Sequence, residues 1–374
     1  MCIRDSSRAR AAVEWLASFH AHWWRGLPDS PPIPKDLWPR GGYWTLEKRH
    51  ADLPGMDAAW RGLLRAFDAE DETKTLASAL RERCGEDFGE RLRRAGPALS
   101  RAALRAEWGT PNQENGGATL VHGDFKAANI VFRRDADTNA SAPARRGARA
   151  APTVIDWQWT GPGGAAHDLA YFLATSLNLD ALERVDDLVA AYLARLSNDL
   201  RARGDAGRAA AAEYDAARLR RDLAVHHADH ARYLAGAVWG AVTPASMRRD
   251  AANSNMGAHR RSTRHLLFCA ARGALGLATC ERGEPGDRKD VDPDAPPPRA
   301  DADVPPTRGG PVSRLVAAVL GVCVALADDA GDIVRGVAES GHMGAVKDKA
   351  SDGSKEDARG GVEEVKRGDA RAEK

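Results

Sequence analysis

The chain has 374 residues, enough for one large domain or two smaller ones, and 43% of them are apolar, enough for a sizeable core. Its 54 Lys and Arg nearly cancel its 53 Asp and Glu, and a net charge of +1 gives no global reason to expect nucleic acid or an anionic membrane as partner. The five cysteines (Cys2, Cys84, Cys269, Cys280 and Cys323) are scattered, odd in number and without a CxxC pair, which argues against a disulfide framework and a zinc site. A reducing, cytoplasmic setting fits that usage. The longest uncharged apolar run, Leu315 to Ala327, is too short for a membrane-spanning helix.

In chain order, Val13, Leu16, Phe19, His20, Trp23 and Leu27 fall at helical spacing, and Pro28 with the run "PDSPPIP" ends that helix. A loop-rich stretch is expected to about Pro54, then helices from Met56 to about Trp108. The cluster "GTPNQENGG" marks a turn. Three short strand-like runs follow: "ATLVHG", "NIVF" and "TVIDW". The last two flank "RRDADTNASAPARRGARAAP", which has no periodicity and reads as a solvated loop joining two strands of a hairpin.

Beyond Asp168 the pattern is helical. Leu182, Val185, Leu188, Val189, Tyr192 and Leu196 share one face, and Tyr214 to Trp239 and His259 to Leu277 make two further helices. Residues 281–311 are rich in Pro, Asp and Arg and almost free of apolar residues, the composition of a disordered linker. Residues 312–336 return to helical periodicity, and from about Asp348 the chain is polar. The expected class is α+β, mostly helical, with a folded region over 1–280, a linker over 281–311 and a helical segment over 312–374.

The stretch "HGDFKAAN" concentrates polar side chains between two apolar runs. Asp and Asn are ordinary turn residues, so the stretch admits a bland reading. It also meets the needs of phosphoryl transfer, which wants a carboxylate to take a hydroxyl proton and hard oxygen ligands for magnesium. Asp124 can serve as the carboxylate, and Lys126 is a cation able to reach a transferring phosphate. A hairpin between "NIVF" and "TVIDW" brings Asn129 and Asp156 together, an amide oxygen and a carboxylate around one ion.

The pattern H-x-D-x-x-x-x-N followed by an apolar residue and Asp resembles the catalytic loop and metal aspartate of the protein-kinase-like fold. Its "HGD" form resembles the small-molecule branch, the choline-kinase-like and aminoglycoside phosphotransferase families. Two flanking stretches are similar to that branch as well: "DWQWTGPGGAAHDLAYFL" after the loop and "VEWLASFHAHWW" before it. The resemblance covers roughly Ala11 to Leu277. It implies ATP and Mg2+ as cofactors, a small-molecule hydroxyl as acceptor, Asp124 as base with Lys126 beside it, and Asn129 and Asp156 as metal ligands. It also implies that His122 and Asp168 fix the loop by hydrogen bonds. No role is assigned to Gln158.

Three further readings complete the set. "HHADH" spaces His226 and His230 one turn apart as zinc ligands can be, with His227 between them, but no fourth ligand accompanies them, so packing is expected. Trp157 and Trp159 offer an aromatic wall for a cationic substrate, or core packing. The glycine-rich hairpin and strand lysine that hold ATP in the kinase-like fold have no counterpart before the "LASFHAHWW" helix. The expectation is a chain starting within the C-lobe and showing little activity by itself. Finally, residues 313–353 resemble the opening helices of 3′(2′),5′-bisphosphate nucleotidases, which raises the alternative of an accessory pseudo-kinase module fused to a hydrolase.

Overall fold

The structure is a computed structural model, and it describes residues 6–108, 117–132, 152–253 and 256–282. The connector over 133–151, the linker beyond 282 and the helix expected over 312–336 lie outside the described residues. By contacts the chain divides into Met1–Asp328 and Asp329–Lys374, and every described residue belongs to the first unit.

Twelve helices and four short strands are found among the described residues, in keeping with a mostly helical α+β chain. Helix α1 (Ser6–His22) buries Ala9, Ala12, Val13, Leu16, Phe19 and His20, a stripe at three- and four-residue spacing. That stripe packs on α8 (Val185–Arg201) and on α6 (Ala165–Thr175), whose residues are all buried. A second core gathers α3 (Met56–Asp68), α4 (Lys74–Cys84), α5 (Phe88–Trp108), α10 (Ala216–Ala237) and α12 (Thr263–Glu281). Its centre is aromatic: Trp60 meets Phe88 edge to face at 5.2 Å and Trp239 at 5.4 Å between ring centroids.

The stretch before Met56 is not all loop. It contains the short helix α2 (Leu46–Arg49) and a 3-10 turn over His50–Gly55, where Pro54 supplies a preset φ. The remaining short helices are α7 (Leu179–Leu182), α9 (Gly204–Glu213) and α11 (Pro244–Asp250). Helix α11 opens with a capping box between Thr243 and Ser246 and a proline in its first turn.

The strands depart from the sequence expectation in one instructive way. β1 (Ala118–Val121) pairs antiparallel with β4 (Gly161–Gly164), while β2 (Ile130–Phe132) pairs with β3 (Pro152–Val154). The candidate catalytic loop therefore joins two different ladders; it is not carried by one hairpin. β4 is the sequence "GPGG", which reads as a turn. It is a strand because it is crowded: a Cβ on Gly161 would lie 2.5 Å from the Trp38 carbonyl oxygen, and one on Gly163 would lie 2.9 Å from Val121 Cγ2. The crowding comes from β1 on one side and, on the other, from a strap over residues 38–42. Trp38 N–H donates to Thr160 at 3.2 Å, Gly41 N–H to Pro162 at 2.9 Å and Gly42 N–H to Trp159 at 3.0 Å. No helix among the described residues is long and apolar enough to cross a membrane.

Candidate phosphotransfer site

Residues 122–129 run from the end of β1 to the start of β2, and side chains from elsewhere in the chain, Asp168 and Ser176 among them, fix them. Asp168, in the first turn of α6, accepts the backbone N–H of His122 at 2.6 Å and of Gly123 at 2.9 Å. Its second oxygen neighbour is His20 of α1, whose Nε2 lies 3.5 Å away while its Nδ1 meets the Tyr192 hydroxyl at 2.7 Å. Complete burial pushes the Asp168 carboxyl up, but the imidazole of His20 and the adjacent His167 and His122 outweigh it, and the carboxyl lies below its ordinary range. At the other end of the loop, Ser176 accepts the Ala127 N–H at 2.9 Å.

His122 has a defined tautomer. The Asp124 N–H donates to its Nδ1 at 3.2 Å, so the proton sits on Nε2, which donates to the Ile155 carbonyl at 3.0 Å. Burial lowers its pKa and keeps the ring neutral, as this bonding requires. The imidazole thus ties the loop to the residue preceding Asp156. The Ile155 N–H in turn donates to the Asn129 carbonyl at 2.9 Å, so Asn129 and Asp156 stand at the same end of the β2–β3 ladder.

Asp124 is 2% exposed. One carboxylate oxygen accepts Lys126 Nζ at 2.6 Å and Asn129 Nδ2 at 3.2 Å. The other is buried and has no hydrogen-bond partner among the described residues. Such an oxygen is costly unless something arrives to use it. Asn129 Nδ2 also donates to the Asp124 carbonyl at 2.9 Å. Asp156 is exposed and has φ +66°, and it is the one non-glycine residue with positive φ among the described residues. A carboxylate held in that conformation carries strain of the kind that gathers at ligand sites. Asp156 and Asn129 together present hard oxygen donors. Magnesium takes one or two protein ligands of this kind when substrate phosphates complete its shell, so the residues present fit the ion.

Three features were not legible in sequence. The hydroxyl of Tyr171, on α6, is 2.9 Å from that of Tyr43. Burial, Tyr43 and the nearby Asp124 charge all raise the Tyr171 pKa, which keeps its proton in place. Beside these hydroxyls opens a cavity of about 200 Å³, walled by Tyr43, Lys126, Tyr171, Thr175, Tyr233 and the segment 256–261. At the β2–β3 ladder, Val131 on β2 is 50% exposed and Ile155, just past β3, is 45% exposed, two apolar side chains near Asp156. The "DLAYFL" similarity contained Tyr171, but nothing in the string distinguishes it from a packing aromatic.

Other candidates go elsewhere. Trp157 is buried against His122 at 4.6 Å and Phe19 at 5.4 Å, and Trp159 is covered by Trp38 at 5.2 Å and Tyr43 at 6.0 Å, so neither forms the cavity wall. His226 and His230 pack edge-on around Trp44, and His227 faces Phe268. Among the described residues no group of three His, Cys, Asp or Glu is placed to hold a metal. Gln158 reaches Asp156 at 3.5 Å.

One comparison with known proteins bears on this segment. The family model of the ecdysteroid kinase-like family matches residues 53–204, a segment that contains His122, Asp124, Lys126, Asn129, Asp156 and Asp168. Over that segment the chain is similar to a kinase-like family of small-molecule phosphotransferases. No curated protein and no solved structure matches the chain, and nothing in the comparisons supports a nucleotidase likeness at its C-terminal end.

Proposed function

We propose that the protein transfers the terminal phosphoryl group of ATP to a hydroxyl of a small molecule with the help of Mg2+. The observation that carries the reading is the Asp124 carboxylate, buried, anchored through one oxygen to Lys126 and Asn129, and left with its second oxygen unpartnered. Such an oxygen can accept the proton of an incoming hydroxyl as that oxygen bonds to phosphorus and the bond to the departing ADP breaks. Lys126 is 30% exposed at its side chain and lines the cavity, so its ammonium can offset charge on the phosphoryl oxygens. Asp156 and Asn129 would hold the magnesium, which when bound neutralises the triphosphate. The exposed Val131 and Ile155 offer a planar base an apolar surface beside those ligands.

The test is a pair of substitutions in the full natural chain. Asp124→Asn should lower the transfer rate by about 10²–10⁴-fold, the usual contribution of a positioned base, with Mg-ATP affinity retained. Asp156→Asn should instead abolish Mg-dependent ATP binding, measured by calorimetry. Unchanged transfer in the Asp124 variant, or no Mg-dependent nucleotide binding by the parent, sinks the reading.

A further inference from the structure

The cavity beside Lys126 identifies the kind of acceptor. We infer that it takes a small hydroxylated anion, a carboxylate or phosphate ester, and not the amino alcohol or aminoglycoside that the loop's closest-sounding families suggest. The inference rests on the phosphotransferase reading of the same site.

The wall of the cavity holds two arginines, Arg260 and Arg261, the ammonium of Lys126 and the hydroxyls of Tyr43, Tyr171, Tyr233 and Thr175, but no carboxylate. His259 completes it, and burial with the adjacent Arg260 pushes its pKa down to about 3, so it stands there as a neutral ring. A cationic substrate would meet positive charge and hydroxyl groups in a wall without a carboxylate, and the adjacent Asp124 is already engaged through one oxygen by Lys126 and Asn129, while Trp157 and Trp159 are committed to packing. An anion finds the opposite. Arg260 approaches one carboxylate only loosely, with its Nη2 3.6 Å from Asp250, and its buried Nε has no acceptor among the described residues. A guanidinium in that state has donors to spare for a carboxylate or phosphate, whose paired oxygens match its geometry. Lys126, which lines the cavity, is held by Asp124 at 2.6 Å, so the acceptor's own charge falls to Arg260. The volume of about 200 Å³ sets the scale. It falls below the roughly 300–1,000 Å³ of pockets for drug-sized ligands, so the acceptor is compact.

Binding in the absence of nucleotide tests this independently of transfer. Glycerate, glycerol and serinol share a three-carbon hydroxylated skeleton and differ in charge. Each is titrated into the full chain, with occupancy read by saturation-transfer NMR. Glycerate should bind at least tenfold more tightly than the other two, and the double variant Arg260→Gln/Arg261→Gln should lose that preference. Arg260→Lys, which keeps the charge and guards against misfolding, should retain part of it. Equal or tighter binding of serinol or glycerol, failure of glycerate to bind, or a preference untouched in the double variant overturns the inference. The phosphotransferase reading would survive any of these, because it stands on Asp124 and Asp156.

Discussion

Asp168 accepts the consecutive backbone N–H groups of His122 and Gly123 through its two carboxylate oxygens, at 2.6 and 2.9 Å. One carboxylate, forty-six residues away from His122, thereby sets the direction in which the loop leaves β1. In Asp168→Asn one of these oxygens becomes an NH2 group that faces an N–H. We expect a loss of about 2–3 kcal/mol, as for a buried hydrogen bond to a charged group, measured by urea denaturation. Transfer activity should fall with it.

Asp156 supplies a separate test because its backbone strain and its proposed ligand role can be taken apart. Glycine adopts φ +66° freely, so Asp156→Gly should leave stability unchanged or raise it by about 0.5–1 kcal/mol while Mg-dependent nucleotide binding disappears. Asp156→Ala should bind no better and be less stable than the glycine variant. A glycine variant that melts well below the parent would show that the Asp156 side chain holds the fold together.

Gly123 has φ +80°, and a Cβ there would press on the Trp159 carbonyl and lie 2.6 Å from Gly42 N. The loop and the strap meet at this point, so neither can give without losing the Gly42–Trp159 hydrogen bond of 3.0 Å. Gly123→Ala should cost more than the roughly 1–2 kcal/mol of a left-handed residue alone. It should also lower the thermal midpoint and transfer together.

Acid should destabilise the protein through its buried histidines. Burial pushes His167, His227 and His259 down to about 3, and pushes His226 and His230 well below their ordinary value. The unfolded chain takes up protons near pH 6.5 and the folded one does not, so stability is full above that pH and falls as pH drops toward 3. The slope should approach about 1.4 kcal/mol per pH unit for each such histidine, measured by urea denaturation at pH 7.5, 6.5 and 5.5. Neither ring nitrogen of His226 has a partner among the described residues. His226→Leu should therefore be neutral or stabilising at pH 7.5 and should flatten the slope.

The candidate site was legible in sequence to the extent that its chemistry is local. "HGDFKAAN" places Asp124, Lys126 and Asn129 on one tight loop, and contacts between residues so close in sequence need no knowledge of the fold. Asp156 could be added because two apolar runs with a turn-rich connector between them pair as strands. The helical stripes were equally plain, since a buried face on α1 or α3 repeats every three or four residues whatever it packs against.

Contacts between distant segments decided the rest. "GPGG" carries turn residues, yet it is a strand because β1 and the strap at Trp38 to Gly42 enclose it so closely that side chains are excluded. Tyr43, Tyr171 and the pair Arg260 and Arg261 come from three stretches with no common motif, and only the packing of α6 against the segment after α11 makes them one cavity. Periodicity and loop chemistry are properties of neighbours in the chain, so the sequence determined the helices and the polar loop between β1 and β2. A pocket is a property of surfaces that meet, and which side chains line it was decided by the tertiary structure alone.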